Sequence, residues 1–525
     1  LQGMDLTHPF QYIADFYHYM GGMPFKASDY ADYRGIQPST IRNELIPLSY
    51  QGFLAYDAAT DMVTVQERLL NFLDYQTGKL DYDVIRFESD VDLTPADNVA
   101  VAPNSQASAP NGILDLKNYD IQLLGVKGVA VSDYQNVSFR PENNTILLKK
   151  NRDFQFNGRL DAGMLSLYGE GFYFSYDDFR VELKRVDRMQ LRVKTDKVDN
   201  QGHLVNQSVK SMIRDITGYI EIDRPDNKSG NKIYAGYPKL TSKENAKVYY
   251  DHESIQNGRY KKENFYFTVD PFTYEDINNI RHENTSFDGV LTTGIFPDIR
   301  HPLVIREDYS LGFIDKAPAE GYPIYGGVAK YYNDIDLSWS GLLGNGELVY
   351  LTSHSISPRF TFLPEIVHGK TSDFTVQETT TGTKYPGVVL GKSTEFMVDG
   401  AKQTGQTQLY FSPFQQQLNV SATKGRFHMF PTSRNESGFE CKLMGALNVT
   451  PEGLWGTGRV DIDDKHVKME GGHLTFDDHS IEADTSFFRT EAYREELQRW
   501  VPDYGELRRD IVVKHPDSDP DDVNL

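Results

Sequence analysis

Cysteine is almost missing from this chain: Cys441 is the single one among 525 residues. An internal disulfide framework and a Cys-based zinc site are therefore excluded. Near-absence of cysteine is common in bacterial envelope proteins. Basic residues are also scarce, with 54 Lys and Arg against 75 Asp and Glu, a net charge of −21. Nucleic acid needs Lys and Arg stripes along its phosphates, so we expect no nucleic-acid partner. The same charge disfavours docking on an anionic membrane surface. It leaves open an internal groove for lipid or sugar.

Long apolar runs are missing too. No stretch approaches the ~18 residues that cross a bilayer as a helix. The start, Leu1-Gln2-Gly3-Met4-Asp5, has no basic region or apolar core of a signal peptide. A first residue other than Met leads us to expect a processed chain or a piece of a longer one. Tryptophan is rare, with 3 residues, whereas 32 Tyr and 30 Phe bring aromatics to 12%. That balance favours pleated, half-buried strands. The 42 Gly and 24 Pro are scattered, as many turns require.

One strand-and-turn unit occurs twice. The first copy runs from Gly171 through Phe174, Tyr176, Asp177 and Asp178 to Val181. The second runs from Gly471 through Leu474, Phe476, Asp477 and Asp478 to Ile481. Apolar residues two apart, then Asp-Asp, then a second alternating run predict a hairpin with one face on a core. Short strands with turn signals continue from about 113 to 482, which predicts a mainly β, elongated multi-stranded repeat: a solenoid, curved sheet or stacked sandwiches with a few peripheral helices.

The expected organisation is a mixed α/β N-terminal region over 1–95, with helices at 9–20 and 66–77 and strands at 50–56 and 62–65. Residues 95–112, rich in Pro, Ser, Asn and Ala, read as a linker or long loop. A β-repeat unit follows over 113–195, then a polar β-rich insertion over 196–286 with some helix near 205–215, then a second β-repeat region over 287–486. Residues 487–503 read as a C-terminal helix with Leu497 and Trp500 docking on one face. Residues 504–525 read as an acidic tail, disordered from Asp517.

No motif points firmly to chemistry. Gly169/Gly171, Gly344/Gly346 and Gly456/Gly458 lack the third glycine and the helix of a dinucleotide fingerprint, so strand edges or bulges are expected. Gly387 to Ser393 lacks the spacing and the helix of a phosphate loop. His252-Glu253 and His282-Glu283 begin like a zinc-protease helix without its second histidine. His466, His473 and His479 share no obvious face. Asp177-Asp178 and Asp477-Asp478 suit turns better than glycoside hydrolysis, because adjacent strand residues face opposite ways. Asp517, Asp519 and Asp521 lack the glycine and glutamate of a calcium loop. Cys441 has no evident base. Eight Asn-x-Ser/Thr sites, Asn136, Asn206 and Asn448 among them, are what Asn-rich turns produce. We therefore assign no catalytic, cofactor-binding or metal residue and expect no cofactor.

Two further phrases carry a resemblance. Gly158-Arg159-Leu160-Asp161-Ala162-Gly163 and Trp455-Gly456-Thr457-Gly458-Arg459-Val460-Asp461-Ile462, each near aromatic alternating strands, resemble large envelope proteins of Bacteroidetes-type bacteria. The texture over 113–482 is also similar to AsmA/TamB-like and OstA-like β-repeat proteins. That resemblance implies a long curved sheet carrying lipid or lipopolysaccharide along an apolar groove, in the periplasm or at the cell surface. This chain departs from AsmA-like proteins in having no membrane anchor and many polar insertions. The expectation is a non-catalytic structural or carrier protein, with lipid or other envelope proteins as partners and membership of a larger chain or complex. The alternative is a carbohydrate-binding or carbohydrate-active β protein, since Tyr-rich surfaces stack on sugar faces.

Overall fold

The computed structural model describes residues 9–79, 81, 85–90, 110–198, 200–202, 204–371, 373–377, 387–390, 396–398, 401–403, 406–430, 441–477, 480–502 and 511–514. These residues are mainly β, in large antiparallel sheets with four α-helices. None of the described helices is long and apolar enough to cross a membrane. Contacts divide the chain into two units. One comprises residues 1–189, 215–244 and 272–280; the other comprises 190–214, 245–271 and 281–525.

The first unit begins with a small module that has its own core. Helix α1 (Pro9–Tyr19) leads to a short strand (Phe25–Lys26), then α2 (Ala27–Arg34), α3 (Pro38–Tyr50), two strands (Leu54–Asp57 and Met62–Val65) and α4 (Glu67–Gln76). The sheet order is first, third, second, so the last strand lies between the other two. Phe10, Ile13, Phe16, Phe25, Tyr30, Ile41, Leu45, Leu54, Val63 and Leu69 fill the centre. Pro38 opens α3, where a missing backbone N–H is harmless, and Gly35 ends α2 in the left-handed conformation. The helices expected at 9–20 and 66–77 are α1 and α4. Helices α2 and α3 were not foreseen, because Ala27–Arg34 buries only Ala27, Tyr30 and Ala31 and carries little apolar signal. Residues 9–79 hold eight carboxylates against five Lys and Arg.

From Gly112 the first unit is a sheet. The strand Phe154–Ala162 pairs with Leu165–Ser175, which turns at Tyr176–Phe179 into the strand that starts at Arg180. The predicted hairpin is present, and Phe172, Phe174 and Tyr176 are buried along its inner face. They join Phe139, Phe154, Phe156 and Phe179, with Phe154 and Phe174 centroids 4.7 Å apart. Each buried phenyl contributes about 1.5–3 kcal/mol. Asp177 and Asp178 lie in the turn, Asp177 ion-paired to Arg152 at 2.7 Å and Asp178 bonded to Ser175.

The second unit contains a large antiparallel sheet whose described strands between Leu311 and Lys514 follow largely in chain order, while Phe396–Val398 and Ala401–Gln403 pair with each other in a separate two-stranded sheet. The large sheet curves. Tyr350 and Phe411 lie three strands apart, ~14 Å along a flat sheet, yet their rings meet at 4.9 Å and the Tyr350 hydroxyl donates to the Gln416 carbonyl. The second predicted hairpin, Val467–Phe476 with Ile481–Ala483, lies in this sheet with Leu474 and Phe476 buried.

The two copies are larger than the hairpin alone. Residues 154–183 and 454–483 match at a constant offset of 300, with eight of thirty residues identical. Both comprise three strands, and both carry a Gly-Arg-x-Asp strand ahead of the hairpin. Arg159 donates to Asp161 at 2.8 Å, and Arg459 donates to Asp461 at 2.8 Å. Gly158 has φ +129° and Gly458 φ +125°, a conformation reserved for glycine. A Cβ on Gly158 would stand 2.5 Å from the Arg140 carbonyl oxygen, and one on Gly458 would stand 2.1 Å from that of Met444.

Two helix expectations are corrected. Residues 487–503 do not form a helix. Thr485–Arg494 and Arg499–Pro502 are strands joined by one 3₁₀ turn at Glu495–Leu497. Leu497 and Trp500 are exposed, so no helical stripe finds a core. The outer edge of Val467–Phe476 presents unpaired backbone groups instead, and Val467–Gly471 pairs with Ser486–Thr490. Hydrogen bonding along that edge outweighs helix propensities worth a few tenths of a kcal/mol per residue. The helix expected near 205–215 is likewise replaced by strands Leu204–Ser208 and Ile213–Arg214, the first paired with Arg192–Val198. In the expected tail, Ile511–Lys514 is a strand paired with Thr485–Phe488. The linker residues 95–109 and the tail from Asp517 lie outside the described residues.

Candidate functional site

Two features rise above ordinary packing, one in each unit. The first is an apolar row that runs across the strands of the second unit's sheet. Leu443 stands opposite Phe427, Val460 opposite Leu443, Met469 opposite Val460 and Phe488 opposite Met469. Directly opposed residues share a face, so the row crosses five strands, ~19 Å at the usual strand spacing. Phe427, Leu443 and Val460 are fully buried, whereas Met469 and Phe488 are half-buried. A parallel row of Leu418, Val449, Leu454 and Phe476 is buried throughout. One apolar track thus passes from packed interior to solvent within two strands.

The second feature is an open cleft of about 460 Å³ on the first unit, lined by Gln122, Glu142, Asn143, Thr145, Leu147, Gln155, Asn157 and Gly171, with Phe156 beneath. The register builds it: Gln122 opposes Leu147, Leu147 opposes Gln155, and Gln155 opposes Tyr173. All four share one face. Asn157 stands at the bulge, where its Oδ1 accepts the Gly171 N–H at 2.8 Å.

No known family, curated protein or solved structure matches this chain.

The residues singled out in the sequence are placed as follows. All three Gly-x-Gly steps sit at shifts of strand register, as bulges. Gly344 and Gly346 have a further reason: a Cβ at either would strike the buried Tyr331 hydroxyl, at 2.3 and 2.7 Å. That hydroxyl donates to the Asp334 carbonyl at 2.7 Å, so the ring lies over the bulge. Gly387 begins a strand, Gly387–Leu390, while 391–393 lie outside the described residues. His252 accepts the Ser254 N–H in a turn and packs on Trp339, and His282 lies in a 3₁₀ turn.

His466 stacks on Trp500 with centroids 3.3 Å apart, and His473 packs on Trp455 at 4.8 Å. The structure therefore places these two histidines against different aromatics; His479 and Asp478 lie outside the described residues. Among the described residues, no group of three or more His, Cys, Asp or Glu side chains is placed to hold a metal ion. Cys441 is buried on a strand. Asn136 is an exposed turn residue with φ +53°, and Asn206 is on a strand. Asn448 is buried, its Oδ1 accepting from Gln417 at 2.7 Å and Asn419 at 2.8 Å, which closes it to a glycan.

Both features escaped the sequence reading. Gln122 and Gln155 look like ordinary outward strand residues until register aligns them. The apolar track is written across strands, where residues far apart in the chain become neighbours.

Proposed function

We propose that this chain is a non-catalytic structural or carrier protein of the bacterial cell envelope, and that its curved sheet holds a lipid acyl chain against the apolar track ending at Met469 and Phe488. The track carries this reading: an acyl chain is long, narrow and apolar, and it matches a row that crosses five strands and emerges into solvent. Burying its methylenes is worth about 0.8 kcal/mol each. The low cysteine content and the acidic surface support an envelope setting over nucleic-acid binding. The acidic N-terminal module supports a protein partner rather than nucleic acid, in the periplasm or at the cell surface.

Native mass spectrometry of gently purified protein, followed by organic extraction, tests the reading. The expected result is a co-purifying lipid that is lost when Met469→Glu and Phe488→Glu are introduced together. A lipid-free mass, or lipid retained by the double variant, overturns it.

A further inference from the structure

The cleft on the first unit is independent of the lipid track, and its lining points to a different ligand. Gln122 and Gln155 extend their amides from adjoining sheet positions, and neither side chain makes a hydrogen bond to the rest of the protein among the described residues. Asn157 uses only its Oδ1 internally, on the Gly171 N–H, so its Nδ2 keeps two donors. Glu142 has no ion-pair partner there either. Asn143 adds another amide, and Thr145 spends its hydroxyl on the Asn143 carbonyl at 3.0 Å. Leu147, half-buried between the two glutamines, gives the cleft an apolar floor. Tyr173 continues the row past Gln155, with its hydroxyl donating to Asp153.

We propose that this cleft binds a neutral carbohydrate. The lining holds no Lys, Arg or His, so phosphate, sulfate and carboxylate ligands find no counter-charge. Amide side chains present donor and acceptor together, which suits neighbouring hydroxyls that are themselves both. A carboxylate accepts from two adjacent hydroxyls, the role of Glu142. The C–H face of a sugar ring rests on Leu147. The volume falls within the roughly 300–1,000 Å³ of small-molecule sites. Glu142 is the one carboxylate in the lining, and hydrolysis of a glycosidic bond uses two placed roughly 5–10 Å apart. The cleft therefore binds the sugar and leaves it intact.

Isothermal titration of the full chain with maltohexaose, cellohexaose, xylohexaose, laminarihexaose and mannohexaose tests this, with polygalacturonate as the charged control. At least one neutral oligosaccharide should bind with Kd of roughly 0.1–1 mM. Gln155→Leu and Gln122→Leu should each weaken that binding about tenfold. Both should keep the wild-type circular dichroism and melting temperature, because neither glutamine has an internal partner to lose. No binding across the neutral panel, preference for polygalacturonate, or undiminished binding by both folded variants overturns the proposal.

Discussion

Gly458→Ala should be among the most damaging single-methyl additions in the second unit. Gly458 stands opposite Gly445 on one side and Gly471 on the other, so three glycines form a seam across three strands. Its φ of +125° costs an L-residue about 1–3 kcal/mol. The added Cβ would lie 2.1 Å from the Met444 carbonyl oxygen, so the strands must separate as well. Losing one or two ladder hydrogen bonds adds about 1 kcal/mol each, for a total of about 2–5 kcal/mol. The chain's three tryptophans, Trp339, Trp455 and Trp500, all belong to the second unit, and Trp455 is on the affected strand. Urea unfolding followed by tryptophan fluorescence should show the midpoint falling by about 0.7–1.7 M for a slope of ~3 kcal/mol/M. Gly158→Ala, the counterpart 300 residues earlier, should destabilise the tryptophan-free first unit and register in far-UV circular dichroism. A Gly458→Ala midpoint within about 0.2 M of wild type would refute the seam argument.

Two further outcomes follow from charge and burial. Burial and the nearby Arg259 hold the His368 imidazole below its ordinary 6.5. Its neutral ring thus contributes stability in full above pH 6.5, which is lost as the pH falls from there towards the folded-state value. His368→Asn should flatten the loss of stability between pH 7.5 and 5.5, read as urea midpoints; an unchanged slope refutes the assignment. Asp461 is buried and takes two 2.8 Å bonds from Arg459, with Arg426 at 3.3 Å. Asp461→Ala should cost about 2 kcal/mol in the tryptophan-detected transition, and a loss below about 0.5 kcal/mol would mark the cluster as solvated.

Residues adjacent in the chain made the fold legible where local pattern decides structure. Phe172, Phe174 and Tyr176 alternate and then meet two aspartates, so the hairpin is visible without its partners. The Gly-x-Gly steps were readable as bulges because no helix follows them. Glu495-Glu496-Leu497-Gln498 has good helix formers, yet an open strand edge took the flanking residues and left a single 3₁₀ turn. Helix α2 hid for the opposite reason: alanines and one tyrosine face its core, too small a signal to notice. The cleft was illegible because a glutamine on an outward strand position carries no mark of its role. Only the pairing of Gln122, Leu147, Gln155 and Tyr173 reveals it.

The thirty-residue unit that recurs 300 positions later bears on how such a chain changes over time. Along a strand, neighbouring side chains face opposite ways, so one inserted residue would invert every downstream position and turn Val460 outward and Arg459 inward. Adding or removing a whole strand pair preserves both faces and the Gly-Arg-x-Asp geometry. Length in this protein is therefore quantised.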